Sequence, residues 1–159
     1  MAKTIEQLLD ELIVREGGYA DHPADRGGPT NWGITEQVAR AYGYEGAMRA
    51  LPRAVAADIY RQRYWLRPGF AAVAKRLPRL AEELFDTGVN MGPKAAAIFL
   101  QRVLNVLNRG NADYPDVAAD GDIGPLTLHA LDRLIVRRGR AASELVLVRA
   151  ANALQGTRY

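Results

Sequence analysis

TIEQLLDELIVREGGY, residues 4–19, starts and ends the first ordered element of the chain, and its reading decides the fold. Thr4 and Gln7 form a capping-box pattern, and Ile5, Leu8, Leu9, Leu12 and Ile13 recur at helical period as one apolar stripe. Gly17-Gly18 stops the helix. Glu16, four residues after Leu12 and eleven after Ile5, falls on the same stripe at about 100° per residue. Two effects act on a carboxyl group in that place. Burial against apolar neighbours and the negative end of the helix macrodipole both disfavour its charged form, which suits a general acid. The plain alternative is a Glu that bends out to solvent from a frayed last turn.

The residues that follow shift that balance toward chemistry. After the glycines come about sixteen residues with no helical period, rich in Gly, Pro and Asp. A loop of that length in a compact domain is usually functional or disordered. It ends in Trp32-Gly33-Ile34-Thr35, where Thr35 can cap the next helix. A hairpin or tight double turn over residues 20–35 is expected to return Asp25 and Thr30 opposite Glu16. Gly27-Gly28 lets the backbone approach a ligand or adopt positive φ. An acid, a second carboxylate and a hydroxyl facing one another form a glycosidase-like constellation. The alternative is that Asp25 and Thr30 make local turn hydrogen bonds, a role that one can fill while the other serves catalysis.

These residues resemble a known family. Glu16-Gly-Gly-Tyr19 with Asp25-x-Gly-Gly-x-Thr30-x-x-Gly33-Ile34-Thr35 is similar to the signature of the glycoside hydrolase 108 N-acetylmuramidases, lysozymes found among phage endolysins and secretion-associated muramidases. The order Glu, Asp, Thr also resembles phage-type lysozymes, in which a Glu at a helix end is the acid. The resemblance implies cleavage of the β-1,4 bond between N-acetylmuramic acid and N-acetylglucosamine. It makes Glu16 the essential acid and Asp25 and Thr30 candidates to hold or activate water, with neither metal nor organic cofactor. Tyr19 belongs to the same signature and is taken as a substrate contact.

Composition agrees with this. The 159 residues can bury a sizeable core, and 48% hydrophobic residues is ordinary for a globular chain. A net charge of +3 suits an acidic polymer, either a peptidoglycan with acidic stem peptides or nucleic acid. The basic residues are scattered among acidic ones with no nucleic-acid motif, so nucleic acid is not expected as a partner. The chain has no cysteine, hence no disulfide or Cys-based metal site, and His22 and His129 lack the spacing of a ligand pair. No apolar run reaches the length of a membrane span, and the N-terminus lacks a basic-then-apolar signal region. The expectation is a monomer made in the cytoplasm without a signal peptide, reaching the cell wall through a holin-type or dedicated release.

The remainder reads as helices. Residues 38–42 form a short one stopped by Gly43. Pro52 opens another bearing Val55 and Ile59, on which Tyr60, Tyr64 and Trp65 are read mainly as core. Pro78 enters a helix with Leu80, Leu84 and Met91, and a further helix carries Phe99, Leu100, Val103, Leu104 and Leu107. Gly88 within an apolar helix costs about 1 kcal/mol relative to Ala, which points to close packing or ligand approach. Asn90 offers a donor and an acceptor suited to an N-acetyl group, or else caps the helix. Its segment, Asp86-Thr-x-Val-Asn90-x-Gly92, also resembles a stretch of the same family.

Asp120-Gly121-Asp122-Ile123-Gly124-Pro125-Leu126-Thr127 lacks the remaining oxygen ligands and terminal Glu of an EF-hand calcium loop. It resembles instead the Asp-Gly-x-x-Gly-Pro-x-Thr turn of peptidoglycan-binding modules, which makes Asp120 and Thr127 candidate substrate contacts. Leu128, Leu131, Leu134 and Ile135 then face inward, and a last helix carries Leu145, Val148, Ala151 and Leu154. Family members usually continue with an aromatic-rich segment beyond the point where this chain stops at Gly156-Thr157-Arg158-Tyr159.

The expected fold is all-α and lysozyme-like, with a small loop or β-hairpin insertion after the first helix. Residues 1–92 form the catalytic region, and residues 93–159 a helical peptidoglycan-binding-like region packed on it. Two rivals to the muramidase reading stay open. One is a lytic transglycosylase, in which the muramic 6-hydroxyl attacks. The other is a non-catalytic peptidoglycan-binding module whose Glu16 is structural.

Overall fold

The computed structural model describes residues 1–157; the chain-end comparison made on Arg158 and Tyr159 lies outside them. The fold is all-α and lysozyme-like, with one two-stranded antiparallel hairpin. By packing, the chain divides into two compact units, residues 4–62 and residues 1–3 with 63–159.

The first unit is built on α1 (Ile5–Glu16) and α3 (Arg53–Arg61). Thr4 caps α1 reciprocally with Gln7, its hydroxyl accepting from Gln7 N at 3.2 Å while the Gln7 side chain accepts from Thr4 N at 2.9 Å. Leu8, Leu9, Leu12 and Ile13 are buried, as are Ala56, Ile59 and Tyr60 of α3, the helix against which α1 packs. Each such aliphatic side chain contributes about 2 kcal/mol on burial. Arg53–Asp10 at 2.8 Å and Arg61–Glu6 at 3.2 Å bridge the exposed rim of the same pair, where ion pairs add little.

β1 (Thr30–Asn31) and β2 (Ile34–Thr35) pair with Thr30 opposite Thr35 and Asn31 opposite Ile34. Trp32 and Gly33 at the tip have φ of 54° and 77°, the positive pair that a two-residue type I′ hairpin turn requires. Thr35 then caps α2 (Glu36–Ala41), its hydroxyl accepting from Val38 N, and Tyr42 lies at the C-cap rather than within the helix. Pro52 is the N-cap of α3 and not its first residue.

A π-helical turn, Gln62–Leu66, leads to the second unit. There α5 (Pro78–Met91) packs against α4 (Phe70–Ala74), α6 (Pro93–Leu107) and α8 (Arg140–Gly156), while α7 (Pro125–Arg138) packs on α6 and α8. Trp65 and Tyr64 set their rings edge-on to Phe85 at 6.2 and 6.4 Å, so both serve packing as expected. Gly88 is buried. A Cβ on it would stand 3.4 Å from both Phe70 and Pro93, so close packing of α4 and α6 onto α5 accounts for the glycine.

Two helix faces differ from expectation. α8 buries Ser143, Leu147 and Ala151, an i, i+4, i+8 row, and leaves Leu145 exposed. Ser143 can lie inward because its hydroxyl donates to Leu134 O at 3.3 Å, which removes the cost of burying it. α7 buries Thr127, Ala130, Leu131 and Leu134, with Leu128 and Ile135 only half covered. Among the described residues no helix is long and apolar enough to cross a membrane.

Candidate active site

Glu16 is the last residue of α1, with Gly17 at the C-cap (φ 81°) donating its N–H to Ile13 O. Burial was expected from its place on the apolar stripe; instead the residue is exposed. The stripe ends at Ile13, because the helix stops before another turn can cover the carboxyl group. Its stem is not loose, however. A Cβ built on Gly33 would fall 2.7 Å from Glu16 Cβ and 3.0 Å from Glu16 Cγ, so the hairpin tip lies directly against the acid's methylenes.

That tip is held from three sides. The Tyr60 hydroxyl donates to Trp32 O at 2.7 Å, and the Trp32 indole N–H donates to Leu51 O at 2.9 Å. Buried Asn31 donates to Met48 O at 3.0 Å and to Arg49 O at 3.3 Å. These bonds offset the cost of a bulky residue at positive φ, a conformation that persists only when its surroundings over-determine it. None of these partnerships was anticipated from the sequence. The Trp-Gly pair was the available signal, but Trp is not a usual I′ turn residue.

Thr30 is half-buried, and its backbone exchanges hydrogen bonds with Ala20 at 2.8 and 2.7 Å. This bridge closes the loop that carries Asp25. Exposed Asp25 accepts from Gly27 N at 3.0 Å through Oδ1, a local turn bond of the kind weighed as its alternative role. Tyr19 is half-buried, donates weakly to Asp21 at 3.4 Å, and carries the Arg49 guanidinium 4.5 Å above its ring. His22 is exposed, and its Nδ1 accepts from Ala24 N.

Asn90, Asp120 and Thr127 belong to the other unit. Asn90 is exposed near the end of α5 with its amide 3.5 Å from Asp86 Oδ2; the helix is capped by Gly92, so Asn90 is not the cap. Asp120 and Thr127 are brought together by a residue the sequence reading passed over. Gln101, fully buried, donates to Asp120 Oδ1 at 3.0 Å, to Asp122 O at 3.0 Å and to the Thr127 hydroxyl at 3.2 Å. Its oxygen accepts from Gly121 N at 2.9 Å. Asp122 N–H and the Gln101 amide hold the Asp120 carboxyl below the usual range. Thr127, 3% exposed, turns its hydroxyl to Gln101. The signal for Gln101 lay in its spacing, four residues after Ala97 and three before Leu104 on a buried face.

The fold is helical, with an exposed carboxylic acid at the end of its first helix, braced by a hairpin and followed by a glycine-rich loop bearing a second carboxylate. The family model for glycosyl hydrolase 108 matches residues 9–92, more than half of the chain, and the chain belongs to that family. Residues 95–159 match a second model, described as a predicted peptidoglycan domain. Among solved structures, that titled "Structure of Brucella abortus SagA" is similar: 29% identical, with 94% of this chain and 78% of that one covered and a TM-score of 0.62. No curated protein matches the chain. The chain is thus a peptidoglycan hydrolase.

Proposed function

We propose that the chain cleaves the β-1,4 bond between N-acetylmuramic acid and N-acetylglucosamine, with Glu16 as general acid. The observation that carries this reading is the placement of Glu16, whose head is open to solvent while its stem is seated against Gly33. Such a carboxyl group is accessible to a glycosidic oxygen and loses little side-chain freedom when a substrate arrives. A glycan bound over it would exclude water from the place where the proton is transferred.

Asp25 is the second carboxylate. Its Oδ1 is engaged by Gly27 N–H, which orients the group on its turn for stabilising positive charge on the sugar or positioning water. Thr30, tied to Ala20 by its backbone, fixes the base of that loop and offers its hydroxyl to the same water. Tyr19, half-buried with Arg49 over its ring, is a candidate sugar contact. Asn90 and Asp120 are further candidate glycan contacts on the second unit. Thr127 acts there through Gln101, holding the turn that presents Asp120.

Glu16→Gln tests the assignment. The exposed, isosteric change is expected to abolish clearing of purified peptidoglycan while leaving the thermal unfolding midpoint unchanged. Substantial residual hydrolysis would remove Glu16 from the acid's role.

A further inference from the structure

The loop between α6 and α7 and the end of α7 create a charged recess. Arg109, Arg137 and Arg138 line it around Asp113. Asp113, whose side chain is 7% exposed, is gripped by Arg109 through two hydrogen bonds, Nε to Oδ2 at 2.8 Å and Nη2 to Oδ1 at 2.5 Å. Arg137 approaches the same carboxylate at 3.6 Å, an ion-pair distance longer than a hydrogen bond. Three guanidinium groups against one carboxylate leave two positive charges at the recess. Arg109 is committed to its two-pronged pair. Arg137 faces Asp113 through Nε only, at ion-pair distance, and both Arg137 and Arg138 are exposed; planar guanidinium groups of this kind match carboxylate or phosphate oxygens.

The platform beneath these groups is rigid and strained. Arg109 and Asn111 hold φ of 53° and 70°, the left-handed region that costs non-glycine residues energy. Asn108, 1% exposed, pins that conformation: its amide donates to Asn111 Oδ1 at 3.0 Å and Asp116 Oδ1 at 2.6 Å, and its oxygen accepts from Asn111 N at 3.2 Å. Buried Tyr114 anchors the far side by donating to Leu104 O at 2.7 Å. Strain held by so many bonds concentrates at ligand clamps.

We propose that Arg137 and Arg138, set on the Arg109–Asp113 pair, form a subsite for the carboxylate groups of peptidoglycan stem peptides. The proposal rests on the peptidoglycan reading of residues 95–159, within which all four residues lie. The glycan strand offers neutral hydroxyl and acetamido groups, so a doubly positive recess is matched by the acidic peptide side of that polymer.

The test uses the full chain carrying Glu16→Gln, which leaves the wall uncut, and co-sedimentation with purified sacculi. Native sacculi are compared with sacculi whose carboxylates have been capped as methylamides. Adding Arg137→Gln with Arg138→Gln is expected to weaken binding to native sacculi about tenfold at low salt. Capping should weaken the parent to the same degree and leave the doubly substituted chain unaffected. Both arginines are exposed, so an unchanged melting midpoint is expected, and Arg137→Lys with Arg138→Lys should restore part of the affinity through charge alone.

If the parent binds sacculi and neither the substitutions nor the capping alters that binding, the subsite is overturned while the peptidoglycan reading stands. A parent that binds no sacculi at all overturns both. Arginine-dependent binding to phosphatidylglycerol vesicles that exceeds binding to sacculi would also overturn the proposal, assigning the recess to phosphate headgroups.

Discussion

Glu16 and Gly33 meet where the end of the first helix touches the tip of the hairpin, and the contact leaves no room for a side chain at position 33. A Cβ there would stand 2.7 Å from Glu16 Cβ and 2.5 Å from the Tyr60 hydroxyl. The hairpin therefore acts as a backstop for the acid. Tyr60, which holds that tip through Trp32 O, is part of the same support.

Gly33→Ala follows from this contact as a prediction. The methyl group needs space taken by the Glu16 stem, and φ of 77° is unfavourable for alanine. The substitution should destabilise the chain by about 2 kcal/mol in urea unfolding. It should also lower kcat on peptidoglycan beyond any loss of folded protein, because the acid is displaced. Unchanged specific activity per folded molecule would show that the backstop is irrelevant to chemistry.

Gln101→Leu is predicted to destabilise by about 3 kcal/mol. The change keeps the volume of the side chain but strips partners from Gly121 N, Asp122 O and the buried Thr127 hydroxyl together. Asp120 should titrate closer to the ordinary carboxylate range, since one of the bonds that depresses it is gone. Its depressed value stabilises the fold above the unfolded pKa, and that contribution is lost as pH falls through the folded one. Unfolding as a function of pH, with and without the substitution, checks both expectations. A wild-type-like acid limb would contradict them.

Glu83 titrates in the opposite sense. Burial raises its pKa, and the neighbouring Asp86 and Glu82 carboxylates raise it further. Between the unfolded and folded values the native state holds the extra proton, so stability falls as pH rises through that window. Glu83→Gln should therefore raise the melting temperature at neutral pH, and the gain should fade in acid. The Asn152 amide, turned with its nitrogen toward Glu83, can still donate to the new amide oxygen. A gain that persists undiminished in acid would show that charge is not its cause.

The sequence made the first helix legible because its signals were local: Thr4 with Gln7 for the cap, the Leu8-to-Ile13 stripe, Gly17 for the stop. The same logic misplaced Glu16, since periodicity continues in sequence after the helix that gives it meaning has ended. The hairpin was foreseen only as one option, because its tip depends on Trp32 held at positive φ by Tyr60 and Leu51, residues distant in the chain. On α8 the expected apolar row included Leu145, whereas Ser143 lies inward once Leu134 O supplies a partner.

Domain organisation shows a similar split. The two family matches meet between α5 and α6, yet α4 and α5 pack with the C-terminal helices, so family matches and packing divide the chain at different places.

The most direct measurement is mass analysis of the products when isolated peptidoglycan is digested in water labelled with heavy oxygen. Reducing N-acetylmuramic ends that each carry one labelled oxygen are expected from the chain as it stands, and no new ends from Glu16→Gln. Unlabelled anhydro-muramic ends would contradict this by showing attack of the muramic 6-hydroxyl in place of water, and labelled ends from Glu16→Gln would contradict the acid itself.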